Sequence, residues 1–359
     1  MTSQHSFSSA PAEAPLVKGD DGNYYGFAEG NFYQLTSDGT YTVVEYLGVY
    51  PTSLIKGSDG NFYGTDPFGG FRNYGMVFQV TPSGTLSVLA EFDGEYVSSP
   101  GHLIQGSDGN FYGTTEGGYY TNYGTVFELD SSTWTTTTLA SLDSWSGWSA
   151  TSLIQASDGY LYGTAEQGGY YDGGTLFRLD PAYPYLEVLT HLGGGYTYEP
   201  YGIPAEGAKP AYLIEAENGK FIGMTNEGGW FGRGVMFTYT EAMGYQFQFD
   251  LGGDDYENWD APATGHHPNG APTLGGDGYF YGTMKTGGAY GVDGGGTLYR
   301  LSFNFNLGYG SYTEIVQFDG TNSVGDLPRT GLTSNGSGSF YGTTSSSWGG
   351  GGKLFKFTP

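Results

Sequence analysis

The sequence predicts an all-β protein, a seven-bladed β-propeller built from four-stranded antiparallel blades. Three observations carry this prediction. The phrase "GSDGNFYGTT" at residues 106–115 recurs in altered form along the 359-residue chain. The 66 glycines and 33 tyrosines are typical of a β protein with many turns and aromatic strand faces. No unit shows the sustained periodicity of an amphipathic helix.

The repeat has seven copies, each marked by the Tyr-Gly or Ile-Gly pair of the phrase. The first residues of these pairs are Tyr25, Tyr63, Tyr112, Tyr162, Ile222, Tyr281 and Tyr341. Spacings of 38 to 60 residues, with several short strands in each unit, favour propeller blades over a helical solenoid. We therefore expect a single domain over residues 1–359, with blade units that start near residues 15, 53, 102, 152, 212, 273 and 331.

One unit can be followed in order from Leu103. "LIQGS" predicts a first strand, and Asp108-Gly109 a tight turn in which glycine supplies the positive φ. "NFYGTT", "GTVFELD" and "TTTTLASL" predict the second, third and fourth strands. We expect the Phe and Tyr of the phrase to pack on neighbouring blades, and the Gly that follows the Tyr to permit close backbone approach. A calcium site at "SDGN" would need several spaced carboxylates, which the phrase lacks, so no metal site is predicted.

The two ends of the sequence predict how the ring closes. The last unit stops at "KLFKFTP", after its third strand, whereas "TSQHSFSSAPAEAPL" at the start resembles the end of a fourth strand and the loop after it. Residues 4–7 are therefore expected to supply the outer strand of the last blade. Such a strand removes an open sheet edge, which is otherwise an aggregation hazard.

Composition excludes several classes of function. Twelve Lys and Arg against 37 Asp and Glu give a net charge of −25, which argues against nucleic-acid binding. There is no cysteine, no apolar run of membrane-spanning length and no signal sequence. Nucleotide, dinucleotide and metal motifs are missing, so no cofactor is expected. We expect a secreted, extracellular monomer with no membrane partner.

The pattern "LIQGSDGNFYGTT…GG…YGTVF" resembles the tandem repeat of the GloVer family of secreted bacterial and fungal proteins. The resemblance covers nearly the whole chain. It implies a propeller and an extracellular location, and it carries no activity by itself.

The loops that differ between copies are the candidate site. Those between second and third strands and those between blades are long and lie at one face of a propeller, whereas the others are short. Exposed aromatic side chains can stack on sugar rings; the alternative is that they pack the loops on one another. The aromatic residues predicted to bind substrate are Tyr120, Tyr171, Trp230, Tyr201 and Trp148.

Scarce cations fall in the same loops, which indicates an anionic ligand such as the carboxylate of an acidic oligo- or polysaccharide. Lys209 and Lys285 are among them. The alternative is salt bridges to acidic residues at 254–260. The charged residues predicted to bind substrate are Arg72, Arg233, Arg329, His266 and His267. The two histidines are adjacent, so on a strand they should point apart and not share a metal.

The residue before "L" or "LI" in each first strand is expected to line the mouth of the central channel. The seven positions are Pro15, Ser53, His102, Ser152, Tyr212, Thr273 and Gly331. His102 and Tyr212 stand out chemically as the catalytic candidates, because either can act as base or acid in β-elimination next to a uronate. A slip of one residue in register would replace His102 by a neighbour.

This site chemistry resembles that of seven-bladed propeller polysaccharide lyases, most closely the group that releases terminal rhamnose from rhamnosyl-glucuronate ends of plant gum arabinogalactan. The first hypothesis is therefore a lyase. The second is a carbohydrate-binding lectin, which predicts equivalent residues in every blade, whereas the loops differ in sequence. The third is a glycoside hydrolase that uses two carboxylates. The carboxylates considered for it are Glu116, Glu166, Glu227, Asp254 and Asp255.

Overall fold

The fold is the predicted seven-bladed β-propeller with antiparallel blades. The structure, a computed structural model, describes residues 1–7, 14–95, 97–117, 123–194, 206–251, 263–288, 295–305, 309–318, 326–345 and 352–359. All regular elements in these ranges are β-strands. None of the described residues forms a helix long and apolar enough to span a membrane.

The strands follow one another from the inner to the outer edge of each blade. The chain begins with β1 (Thr2–Ser6). Blade 1 contains β2 (Val17–Lys18), β3 (Tyr24–Ala28), β4 (Asn31–Leu35) and β5 (Tyr41–Tyr46). Blade 2 contains β6 (Ser53–Lys56), β7 (Phe62–Asp66), β8 (Met76–Val80) and β9 (Leu86–Glu91). Blade 3 contains β10 (Pro100–Gln105), β11 (Phe111–Thr115), β12 (Thr125–Leu129) and β13 (Thr136–Ser141). Blade 4 contains β14 (Trp148–Gln155), β15 (Leu161–Gln167), β16 (Thr175–Leu179) and β17 (Leu186–His191).

The remaining three blades follow the same plan, except that the first strand of blades 6 and 7 is in two pieces. Blade 5 contains β18 (Ala208–Glu217), β19 (Lys220–Glu227), β20 (Val235–Thr240) and β21 (Gly244–Asp250). Blade 6 contains β22 (Ala263–Pro268), β23 (Thr273–Leu274), β24 (Phe280–Gly288), β25 (Thr297–Asn304) and β26 (Tyr309–Gln317). Blade 7 contains β27 (Asp326–Pro328), β28 (Thr333–Ser334), β29 (Phe340–Ser345) and β30 (Lys353–Phe357), and its outer strand is β1.

The predicted closure by the N-terminal strand is confirmed. β1 pairs antiparallel with β30, with Thr2 opposite Lys356 and Ser6 opposite Lys353. The amide of Phe7 donates to the carbonyl of Gly352 at 2.8 Å, and the Phe7 side chain is only 5% exposed. The strand begins two residues earlier than predicted. The blade thus has four strands because it takes one from the other end of the chain.

The strands divide into two compact units, Met1–Gly48 with Gly229–Met236 and Gln248–Pro359, and Val49–Gly228 with Phe237–Phe247. In each unit, aromatic residues of the repeated phrase pack between successive blades. In the second unit, Tyr63 lies 4.4 Å from Phe111, centroid to centroid. In the first, Tyr281 lies 4.8 Å from Phe340. Aromatic packing of this kind contributes about 0.5–1.5 kcal/mol per pair beyond area burial. The organisation of residues 1–359 as one domain stays a prediction.

The aspartate of the repeated phrase accepts hydrogen bonds from residues of its own turn and of the strand that follows. In blade 3, Asp108 Oδ1 accepts from the Asn110 amide at 3.1 Å, and Asp108 Oδ2 accepts from the Tyr112 hydroxyl at 2.7 Å. The tyrosine-to-aspartate bond recurs in five blades. The pairs are Tyr25–Asp21, Tyr63–Asp59, Tyr112–Asp108, Tyr162–Asp158 and Tyr281–Asp277. The turn is therefore stabilised by the aspartate carboxylate and by the tyrosine hydroxyl of the strand that follows it.

The glycine after the tyrosine is covered by an aromatic ring from the third strand. Gly113 is opposite Phe127 in the sheet, and a Cβ built on Gly113 would lie 2.5 Å from that ring and 2.8 Å from the carbonyl oxygen of His102. Gly64 with Phe78 and Gly163 with Phe177 repeat the arrangement. The repeated phrase therefore has a structural role in the blades, because an aromatic ring that covers a cross-strand glycine stabilises the sheet.

Candidate functional site

The loops between second and third strands share the same turn, from the second glycine onwards, in blades 2, 4 and 5. We call residues 69–75, 168–174 and 228–234 the presenting loops. Each begins Gly-Gly-aromatic and has positive φ at its second glycine, at its fifth residue and at its last glycine. In the blade 4 loop, the amide of Asp172 donates to the carbonyl of Gly169 at 3.3 Å, and the amide of Gly174 to the carbonyl of Gly168 at 2.9 Å. These glycines permit a turn that most residues resist.

The end of the fourth strand holds each presenting loop by the same kind of hydrogen bond. In blade 2, the amide of Phe71 donates to Glu91 Oε1 at 2.8 Å. In blade 4, the amide of Tyr170 donates to His191 Nδ1 at 3.1 Å. In blade 5, Asp250 Oδ1 accepts from the amide of Trp230. Three different side chains thus do one task, which is to fix the backbone of the first aromatic residue in the loop.

The first aromatic side chain of each presenting loop faces solvent. Phe71 is 89% exposed, Tyr170 is 68% exposed and Trp230 is 44% exposed. The second aromatic residues, Tyr171 and Phe231, are exposed as well. Packing of the loops on one another therefore leaves a large part of each ring in contact with solvent. A fixed backbone with an open ring face suits stacking against a flat apolar ligand surface.

In blade 4 the presenting loop is part of an aromatic cluster. The Trp145 ring lies 4.5 Å from the His191 ring and 6.3 Å from the Tyr170 ring, centroid to centroid, edge to face in both cases. Tyr170 and Tyr171 are also edge to face, at 4.8 Å. Burial lowers the pKa of His191 below its ordinary value. The acceptor role of Nδ1 requires that neutral form, with the proton on Nε2.

The predicted ring of residues on the innermost strands has a structural counterpart in the second unit. Ser53 Oγ accepts from the amide of Leu103 at 3.2 Å, and Ser152 Oγ accepts from the amide of Leu213 at 3.3 Å. The two serine hydroxyls therefore join each first strand to that of the next blade. His102 lies on β10, the first strand of blade 3, which Ser53 of β6 joins to blade 2. Tyr212 lies on β18, the first strand of blade 5, which Ser152 of β14 joins to blade 4. Both are partly buried.

His102 has the surroundings of a neutral imidazole. Burial lowers its pKa, and proximity to the backbone of Thr151, on the first strand of the next blade (β14), partly opposes that shift. A neutral ring has one nitrogen available as a base. The structure gives no direct contact between His102 and Tyr212.

The predicted cationic residues lie in different blades, 2, 5 and 7. Arg72 is exposed within the blade 2 presenting loop. Arg233 is partly buried in the blade 5 presenting loop, where desolvation lowers its pKa. Arg329 is exposed between β27 and β28, and its amide donates to the carbonyl of Thr343 at 2.9 Å. Lys209 pairs with Glu227 at 2.5 Å, so this lysine is engaged by a carboxylate of its own blade.

The expectation that His266 and His267 point apart is wrong. Their Nδ1 atoms are 2.6 Å apart, and both lie about as close to Thr286 Oγ1, at 3.0 and 3.1 Å. The reason is the left-handed backbone of His267, with φ of 56°, which breaks the alternation of the strand. Ser99, Lys209 and Leu327 have the same conformation at the entry of their blades. Among the described residues, no three His, Cys, Asp or Glu side chains converge as metal ligands would.

The other predicted aromatic residues fall into two groups. Tyr171 and Trp230 are exposed on presenting loops, whereas Trp148 is partly buried at the start of β14, opposite Gln167. Tyr120 and Tyr201 lie outside the described residues, as do Asp254 and Asp255 of the hydrolase hypothesis.

Sequence reasoning missed the side chains that hold the presenting loops. These are Glu91, His191 and Asp250. Each ends a fourth strand and lies 20 or 21 residues after the aromatic residue whose amide it binds. The presenting loops themselves could have been recognised in the sequence, because "GGF", "GGY" and "GGW" each begin at the same distance after the Tyr-Gly or Ile-Gly pair.

The molecule is thus a β-propeller whose frame repeats and whose loops hold exposed aromatic side chains. A family model described as the Gloeobacter/Verrucomicrobia repeat matches residues 50–261, more than half of the chain. The chain belongs to that family. No protein of curated function matches the sequence.

Solved structures with this fold are distant in sequence. A streptogramin B lyase is 14% identical with a TM-score of 0.57, over 98% of this chain and 94% of that one. A catalytically inactive histidine-to-alanine variant of virginiamycin B lyase from Staphylococcus aureus, with quinupristin, is 13% identical with a TM-score of 0.61, over 98% of both chains. The extracellular domain of a hybrid two component system from B. thetaiotaomicron is 13% identical with a TM-score of 0.60, over 99% of this chain and 40% of that one. At such identities the similarity establishes the fold alone.

Proposed function

We propose that this propeller is an extracellular carbohydrate-binding protein that contacts glycans through its presenting loops. The observation that carries the proposal is the recurrence of one rigid loop with a solvent-exposed aromatic residue at the same position, Phe71, Tyr170 and Trp230. Equivalent residues in several blades are what a lectin with blade-level sites needs. The loops differ in sequence, but their turns have the same backbone conformation.

Exposed aromatic rings are costly unless a partner covers them, since they leave apolar area in water. A sugar ring offers an apolar face of similar size, and the phenol and indole groups retain a hydrogen-bonding edge. The loops are held before binding by Glu91, His191 and Asp250, so little conformational entropy is lost on association. Several weak sites of this type gain affinity for a branched polymer through multivalency.

The test measures binding of the full chain to a panel of soluble plant and bacterial polysaccharides, gum arabic included, by affinity electrophoresis. We expect Phe71→Ala, Tyr170→Ala and Trp230→Ala each to weaken retardation about threefold to tenfold, and the triple variant to abolish it. Tyr183→Ala is the matched control, because Tyr183 is 80% exposed but lies outside the presenting loops. Unchanged retardation of the triple variant would overturn the proposal.

A second function, β-elimination next to a uronate, is supported by the surroundings of His102. A neutral imidazole, which burial favours, suits a base that removes the proton α to the uronate carboxylate. We propose that the Tyr212 hydroxyl protonates the leaving oxygen. The proton passes to His102, the C–O bond to the leaving sugar breaks, and a C=C bond forms in the uronate. Rhamnosyl-glucuronate ends of an acidic plant polysaccharide are the substrate we propose for it.

This function is tested by following ultraviolet absorbance of an unsaturated uronate during incubation with gum arabic and other uronate glycans. We expect absorbance to rise with the wild type and to stay flat with His102→Ala. His102→Gln keeps a polar side chain of similar size and should fold normally while remaining inactive. If the wild type produces no unsaturated product, the lyase function is wrong, and glycan binding by the presenting loops is unaffected by that result.

A further inference from the structure

A groove of about 400 Å³ lies between the outer strands of blades 3 and 4, in the second unit. It runs beside β17 from Tyr185, the residue before that strand, to His191 at its end, and is bounded on the other side by the end of β13 and the turn after it. The six steps from Tyr185 to His191 extend about 20 Å along a strand. We call this the rim groove. It is large enough for part of an oligosaccharide.

Two exposed aromatic side chains line the rim groove. Trp145 is 57% exposed and Tyr185 is 77% exposed. Trp145 is held by edge-to-face contact with His191, at 4.5 Å between centroids. Neither ring is needed to fill a core in the second unit, because the hydrophobic clusters there consist of other residues. Their open faces are therefore free to stack on a ligand.

The polar groups of the rim groove are already oriented. Asp143 Oδ1 accepts from the amides of Trp145 at 3.0 Å and Ser146 at 2.7 Å, which leaves Oδ2 as an acceptor for a ligand hydroxyl. His191 Nδ1 is occupied by the Tyr170 amide, so its proton is on Nε2, as a donor. A donor and an acceptor flanked by aromatic rings form a site of the kind that recognises sugar hydroxyls.

Charge selects the class of sugar. The rim groove is lined by two carboxylates, Asp143 and Glu187, and by no Lys or Arg among its residues. Arg178 pairs with Glu187 at 2.7 Å, and that pair leaves no net positive charge for an anion. A uronate would meet an uncompensated carboxylate, whereas an uncharged sugar would meet only hydrogen-bonding groups.

We propose that the rim groove is a binding site for a neutral oligosaccharide, distinct from the exposed aromatic residues of the presenting loops and from the innermost strands, although it shares His191 with the support of the blade 4 loop. Trp145 and Tyr185 stack on sugar rings, Asp143 accepts from a hydroxyl and His191 donates to one. The site does not depend on the function proposed for the presenting loops, although Trp145 also touches Tyr170 of the blade 4 loop. It distinguishes neutral chains from acidic ones.

The proposal is tested by isothermal titration of the full chain with neutral galacto-, manno- and gluco-oligosaccharides, and with oligogalacturonate as the acidic counterpart. We expect at least one neutral series to bind, Trp145→Ala and Tyr185→Ala each to weaken that binding at least tenfold, and Tyr185→Phe to retain it. Tyr183→Ala is the matched control, two residues away, similarly exposed and outside the groove.

Three results would overturn the proposal. These are the failure of every neutral series to bind, equal losses in Tyr183→Ala and Tyr185→Ala, and oligogalacturonate binding that is as tight as neutral binding and equally sensitive to Tyr185→Ala. Phe71→Ala separates the two functions, because it should leave rim-groove binding unchanged while weakening polysaccharide binding by the presenting loops.

Discussion

The Nδ1 atom of His191 accepts a hydrogen bond from the backbone amide of Tyr170 over 3.1 Å, so the last residue of β17 fixes the tip of the blade 4 presenting loop. Glu91 and Asp250 fix the corresponding loops with carboxylates. Only the blade 4 loop depends on a group that titrates near neutral pH. This difference leads to the first prediction.

Acidification should loosen the blade 4 presenting loop before the other two. Burial lowers the pKa of His191 below 6.5, so the folded state favours the neutral ring. The stabilisation is complete above pH 6.5 and is lost as the pH falls through the folded-state pKa, because protonated Nδ1 can no longer accept. Hydrogen exchange of residues 168–174 should therefore quicken between pH 7 and 5, after correction for intrinsic rates. His191→Asn keeps an acceptor without titration and should remove the pH dependence.

Gly163→Ala should destabilise the protein by about 1–3 kcal/mol, the usual cost of overpacking. The added methyl group would lie 2.3 Å from the Phe177 ring and 2.9 Å from the carbonyl oxygen of Ser152. Gly276→Ala is the control, because a Cβ there meets nothing within 4 Å and φ is not positive. Denaturant unfolding measures both. Equal midpoints for the two variants would contradict the frame role of this glycine.

Phe7→Ala should weaken the closure of blade 7. Phe7 is 5% exposed and packs with Leu354 and Tyr33 in one core cluster, so its removal should cost about 3–5 kcal/mol. Hydrogen exchange in β30 should rise along with the loss of global stability, since β1 protects that strand. Val43→Ala, at a residue 46% exposed on β5, should change neither quantity appreciably. A fully protected β30 in Phe7→Ala would disprove the role of Phe7 in the clasp.

The tyrosine-to-aspartate bond of the repeated phrase should couple the two residues energetically. Tyr112→Phe removes the donor of a 2.7 Å hydrogen bond, and Asp108→Asn removes the negative charge of its acceptor. A double-mutant cycle should give about 1–2 kcal/mol of coupling, because the bond involves a charged acceptor. Additive losses in the cycle would show that the turn is held without it. Tyr183→Phe with Asp108→Asn, a pair without contact, supplies the baseline.

The sequence was sufficient for the frame and insufficient for the site. Seven copies of one phrase predict seven blades, and the terminal segments predict the strand exchange, because both follow from local patterns that every copy repeats. The contact between His266 and His267 was not predictable, since it depends on a left-handed residue that the sequence does not mark. The acceptors Glu91, His191 and Asp250 differ chemically, so no residue pattern joins them. The rim groove depends on the separation of two outer strands, which is a property of tertiary packing.

The pairing of Ser6 with Lys353 also has a consequence for biosynthesis. Because β30 follows β1 by about 350 residues, at about 5–20 residues per second β1 waits roughly 20 to 70 s for its neighbour. During that interval β1 exposes an unpaired edge and the apolar side of Phe7. Blades 1 to 6 can form one after another, but blade 7 is completed only once β30 has emerged. A chaperone that shields β1 would therefore act at the step where this topology is most vulnerable.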